Sequence, residues 1–105
     1  MRKKEYVREF KSKGSHDIDR LIRYRKQGKF INIKMFNFDL LEELNNRGVF
    51  SRKTFNGKAH SNYRTMISLA SIEYTLTVKQ KKLYNTIFMQ DIAPYLDKVI
   101  AQEEN

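Results

Sequence analysis

The chain has 105 residues, 40% of them hydrophobic and 12% aromatic, with 21 Lys and Arg against 12 Asp and Glu. A chain of this size makes one domain, residues 1–105, with a modest core, and its apolar content argues against wholesale disorder. It has no Cys, which excludes disulfides and thiolate metal sites, and no apolar run long enough to span a bilayer, so a soluble, cytoplasmic protein is expected.

Residues 1–13 read as a short amphipathic helix (Tyr6, Val7 and Phe10 on one side) or as a mobile basic arm. Gly14-Ser15-His16 breaks that pattern. Ser15 or Asp17 then caps a helix through DIDRLIRYRKQ, with Ile18, Leu21 and Ile22 inward, bases in the last turn and Gly28 just past the end. From Phe30 to Phe36, Ile31, Ile33 and Met35 alternate with Asn32 and Lys34, the period of an extended segment. Asn37 caps FDLLEELNNR, whose buried stripe is Phe38, Leu41 and Leu44 with Leu40, and Gly48 ends it.

Val49-Phe50 is an apolar turn, after which Ser51 caps a short helix, SRKTFN, ending at Gly57. Ser61 caps NYRTMISLASIEYTL, with Tyr63, Met66, Ile67, Ala70 and Tyr74 at helical spacing and Leu69 and Ile72 widening the face. Thr77 and Gln80 form a capping box that opens VKQKKLYNTIF, with Leu83, Ile87 and Phe88 inward. Asp91 opens the last helix, with Pro94 tolerated in its first turn and Ile92, Tyr95, Leu96, Val99 and Ile100 on its apolar side. The sum is an all-α fold, a compact bundle of about five helices with a short extended segment near 30–36.

The net charge of +9 is unevenly spread: residues 1–34 carry twelve Lys and Arg against four Asp and Glu, whereas residues 65–105 carry four against five. Such asymmetry points to a polyanionic partner, whether nucleic acid, an acidic protein surface or an anionic membrane, and of these a membrane is not expected. The stretch Leu44–Ile72 sharpens the point. It has no Asp or Glu, yet holds Arg47, Arg52, Lys53, Lys58 and Arg64, with Asn56, His60, Asn62 and Tyr63 between them. A carboxylate there would repel a phosphate and compete for the arginines.

The helix 38–47, the turn Gly48-Val49-Phe50 and the helix opening at Ser51 resemble a helix-turn-helix unit of the phage-repressor type, over residues 38–70. The resemblance implies a DNA-binding regulator that favours duplex DNA over RNA. It places Ser51, Arg52, Lys53 and Asn56 toward the groove and Lys58, His60, Asn62 and Arg64 at the backbone, with Arg47 also at the nucleic-acid surface. Arg20, Arg23 and Lys26 on the first long helix would add phosphate contacts.

Two alternatives stand beside this. Aromatics among the bases, such as Tyr6, Tyr24, Phe30 and Tyr63, could stack on unpaired RNA. A small interaction protein from a mobile element could inhibit a host nucleic-acid enzyme by filling its channel or clasping its surface, and the wealth of Asn, Lys, Ile, Tyr and Phe fits an AT-rich source of that kind. An enzyme is not expected, nor a cofactor or metal: no glycine-rich phosphate loop or nucleophile elbow occurs. The cluster His16-Asp17-Ile18-Asp19 has the acids that a helix first turn favours. Homodimerisation is expected through the last two helices, where Tyr95, Leu96, Val99 and Ile100 make an apolar strip.

Overall fold

The computed structural model describes residues 13–55 and 57–104, with the backbone alone at 53–55, 58–60, 73 and 104. The helix or arm expected over residues 1–13 therefore lies almost wholly outside the described residues. The fold class is all-α, as expected, with one β-hairpin added. In order come α1 (Lys13–Lys26), a 3-10 turn (Ile33–Met35), α2 (Phe38–Asn46), β1 (Arg52–Phe55) and β2 (Lys58–Ser61). Then follow α3 (Asn62–Ser71), a second 3-10 turn (Glu73–Thr75), α4 (Val78–Ile87), a π turn (Phe88–Ile92) and α5 (Ala93–Glu104).

Gly14 does not break a helix; it lies inside α1 and is buried. A Cβ there would run into the Asp39 carbonyl and the Glu43 Cβ of α2, so the glycine is what lets α1 and α2 approach so closely. Ile18, Leu21 and Ile22 of α1 then meet Leu40, Leu41 and Leu44 of α2 in a core that also takes in Phe50, Met66, Leu69, Ile87, Ile92 and Leu96. No charged side chain is buried among the described residues. Ion pairs at the rim fasten α1 to α5: Arg25 grips Asp97 with two bonds of 2.9 and 3.1 Å, and Lys26 reaches Glu103 at 3.0 Å.

Several local signals are realised as expected. The Asn37 side chain accepts from the Leu40 N–H, the Ser61 hydroxyl from the Tyr63 N–H, and Thr77 with Gln80 forms the reciprocal capping box. Gly28 and Gly48 follow α1 and α2 at φ of +70° and +73°, the left-handed backbone a helix stop favours.

Other expectations are corrected. The segment 30–36 is not extended throughout: irregular chain gives way to a 3-10 turn at Ile33–Met35, with the Asn32 side chain accepting from the Lys34 N–H. It has no neighbouring strand to pair with, and Ile31, Ile33 and Phe36 are buried by packing instead. SRKTFN is not a helix: β1 pairs antiparallel with β2, Arg52 opposite Ser61 and Phe55 opposite Lys58. That register leaves Asn56 and Gly57 as a two-residue connection, and Gly57 has φ +74°. Asn-Gly suits the tight turn that matches strand twist, which outweighs the weak helical tendency of six residues closed by glycine.

Asp91 does not open a new helix either. Helical backbone runs without interruption from α4 through the π turn into α5. Pro94 has no N–H and would crowd the Gln90 carbonyl in a regular turn; the wider turn just before it, with the Ala93 N–H donating to the Phe88 carbonyl, accommodates the ring. Finally, Phe38, Ile72, Tyr74 and Leu83, all expected inside, are exposed, while Tyr84 is buried in Leu83's place. α3 stops at Ser71, which takes Tyr74 off its face, and the Tyr84 hydroxyl finds the Ile31 carbonyl.

Candidate functional site

The hairpin is the element on which the acid-free stretch is displayed. Beyond pairing with each other, its strands meet the body chiefly where β2 runs into α3. Its base is closed by one carboxylate from far along the chain. Asp91 accepts from the Ser51 backbone N–H at 3.0 Å, from the Ser51 hydroxyl at 3.0 and 3.1 Å, and from the Asn62 amide at 2.9 Å. The Asn62 amide also reaches the Ser51 hydroxyl at 3.2 Å, and the Asn62 N–H donates to the Ser51 carbonyl at 3.1 Å. Both ends of the ribbon are thus tied to the π turn, and the acid that ties them is occupied by neutral donors. Phe50 and Tyr63 stack just beneath, their ring centres 5.9 Å apart.

The twelve residues expected at a nucleic-acid surface fall into distinct groups. Arg52, opening β1, and Arg64, in the first turn of α3, are exposed. Neither makes an ion pair or side-chain hydrogen bond among the described residues. Lys53, Lys58 and His60 lie along the ribbon, Lys53 opposite His60 in the register, but their side chains, like Asn56 altogether, lie outside the described residues. Ser51 and Asn62 are engaged by Asp91.

Arg47 is engaged as well: its guanidinium donates to Glu43 at 2.8 Å, to the Tyr95 hydroxyl at 2.9 Å and to the Ser15 hydroxyl at 3.0 Å. It pins α2 to α5 and α1 rather than joining the ribbon. On α1, Arg20 pairs with Asp17 at 3.1 Å and Lys26 with Glu103, while Arg23 is exposed and makes no such bond among the described residues.

Of the aromatics considered for stacking, Tyr6 lies outside the described residues. Tyr24 and Tyr63 are half-buried, and Lys29 sits 5.1 Å from the Tyr24 ring; Phe30 is exposed. The cluster near His16 does not close: Asp17 is taken by Arg20 and the Asn37 amide, and no three His, Asp or Glu side chains converge on a metal position among the described residues. The C-terminal strip packs inward, with Leu96 buried and Tyr95, Val99 and Ile100 half-buried against the core. No described helix is long and apolar enough to cross a membrane.

The chain matches no protein-family model, no curated protein and no solved structure. Function is therefore read from the residues themselves. The sequence expectations miss two features of the site. The first left a signal: Asn56-Gly57, between Phe55 and Lys58, is a pair that favours a hairpin turn. Asp91 carries none, because its partners stand forty and twenty-nine residues away.

Proposed function

We propose that the protein is a small nucleic-acid-binding protein that grips duplex DNA with its cationic hairpin and the start of α3, in the manner of a DNA-binding regulator. One observation carries this reading: an acid-free ribbon joins α2 to α3, its base closed by a carboxylate that neutral donors occupy, with Arg52 and Arg64 exposed beside it. A two-stranded ribbon fits the major groove as an α-helix does, so the reading does not require a recognition helix at Ser51. In this reading Arg52 reaches base edges or phosphates, Lys53, Lys58 and His60 add backbone contacts from β1 and β2, and Arg64 takes a phosphate. Arg23 adds a phosphate contact from α1 without disturbing the ion pairs that hold α1 and α5 together.

The test is duplex binding by fluorescence anisotropy over a salt series. Arg52→Ala and Arg64→Ala should each weaken binding and flatten the dependence of log K on log salt by about one unit for each phosphate left unneutralised. Unchanged affinity and slope in both variants would remove the hairpin from the interface. Recovery of a stoichiometric protein partner from nuclease-treated lysate, with no duplex binding by the purified chain, would favour the interaction-protein reading instead.

A further inference from the structure

We propose a second, separate site: a trough at the opposite end of α3 from the hairpin that binds unpaired nucleotides by stacking them on Phe30, Tyr74 and Phe38. These three rings are 69%, 79% and 65% exposed, whereas Phe36, Phe50 and Phe88 are buried in the core. Exposed apolar surface that is contiguous, unlike singly scattered residues, marks a binding surface. Two depressions of about 480 and 230 Å³ adjoin here and share Tyr74 as a common wall; Phe30 lines the first and Phe38 the second.

The charge around the rings decides the occupant. Lys34 and Lys81 line the larger depression, and no carboxylate lines either one among the described residues. The Lys34 ammonium lies 4.8 Å from the Tyr74 ring centre, so cation and stacking face occur together. A purely apolar partner would leave both ammonium groups without counter-charge, whereas a single strand supplies a phosphate beside each base. Aromatic faces interleaved with cations are the recurrent means of holding single strands without reading their sequence. The second depression is walled by Ala70 and Ser71 at the end of α3, while Arg64 and Asn62 stand near its start, six to nine residues or about 9–14 Å away along the helix. The trough therefore does not rest on the hairpin reading, and either can fail alone.

The experiment uses the full chain and four labelled probes of equal length: oligothymidine, oligouridine, an abasic strand and a duplex. The wild type should bind oligothymidine or oligouridine well above the abasic strand, and the stronger of the two identifies DNA or RNA as the source of the unpaired bases. Phe30→Ala and Tyr74→Ala should each cut single-strand affinity by roughly fivefold to a hundredfold, the range for loss of one stacked base. Tyr74→Phe, which keeps the ring, should bind nearly as wild type. Duplex affinity should be unmoved by these changes, and Arg52→Ala should show the reverse pattern. Because the rings are exposed, thermal unfolding should be unaltered in every variant. Equal affinity for abasic and base-bearing strands would overturn the proposal. So would wild-type affinity in both alanine variants, or a loss in Tyr74→Phe as large as in Tyr74→Ala.

Discussion

At the residue scale, Gly14 and Asp91 do what no neighbour in sequence announces. Gly14 sits where any Cβ would meet backbone of α2, and backbone cannot swing aside as a side-chain tip can. Gly14→Ala should therefore destabilise the fold by about 1–3 kcal/mol despite the better helix propensity of alanine. Thermal unfolding reads this directly, since each kcal/mol lowers Tm by roughly 4–8 °C in a domain of this size. A melt equal to wild type would mean that α1 and α2 have slack at their crossing.

Asp91→Ala removes the acceptor shared by the Ser51 N–H, the Ser51 hydroxyl and the Asn62 amide. Bonds to a charged acceptor contribute about 1.5–3 kcal/mol each at most, and water can replace part of that here because Ser51 is exposed. The expected result is local: faster amide exchange through the hairpin and weaker duplex binding, with protection in Leu40, Leu41 and Leu44 retained. Loss of protection across the whole chain would show that the clamp holds the bundle and not just the ribbon.

At the scale of elements, the departures from expectation have a common cause. The stretch 52–61 has modest helix formers and an Asn-Gly pair, so its choice between helix and hairpin is narrow, and the clamp at its two ends favours the hairpin by bringing Ser51 and Asn62 together. Gly57→Ala tests the turn. Its φ of +74° is costly for a residue with a Cβ, by roughly 1–2 kcal/mol, so exchange within β1 and β2 should quicken.

The joint between α1 and α5 gives a pH prediction. The hydrogen bond from Arg25 holds the Asp97 carboxyl below the usual carboxylate range, against a small opposing effect of burial. A depressed folded-state pKa stabilises the fold above the unfolded value, near 3.9, and that contribution fades as pH falls through the lowered folded value. Asp97→Asn should therefore melt slightly earlier than wild type at neutral pH, with the gap closing in acid. The pair is solvent-exposed, so the effect is small.

At the scale of the molecule, the charge has been sorted by the fold. Arg25, Lys26 and Arg47 are consumed in holding helices together. Arg52 and Arg64 are left exposed at one end of α3, and Lys34 and Lys81 beside exposed rings near the other. Residues 1–34 carry most of the net +9, but among the described residues these four cations mark two separate exposed surfaces, which the proposals above assign to a groove and to unpaired bases. Raising salt should weaken binding at both. Only the trough should keep a salt-resistant share of its affinity, since stacking releases no counterions; titration of oligothymidine and duplex at rising salt would separate them.

What the sequence by itself determined was local: the caps at Asn37, Ser61 and Thr77, the stops at Gly28 and Gly48, the apolar spacing of α1 and α2, and hence the helical class. Each of these depends on hydrogen bonds or side-chain faces within about one helical turn, which a pattern of residues specifies directly. Tertiary structure decided the rest. It put Phe38 and Tyr74 outside and Tyr84 inside, made Gly14 a close approach instead of a break, and gave Asp91 to Ser51 and Asn62. Those outcomes depend on which distant surface arrives opposite a side chain, and the free energy of burial or pairing belongs to that meeting rather than to either segment.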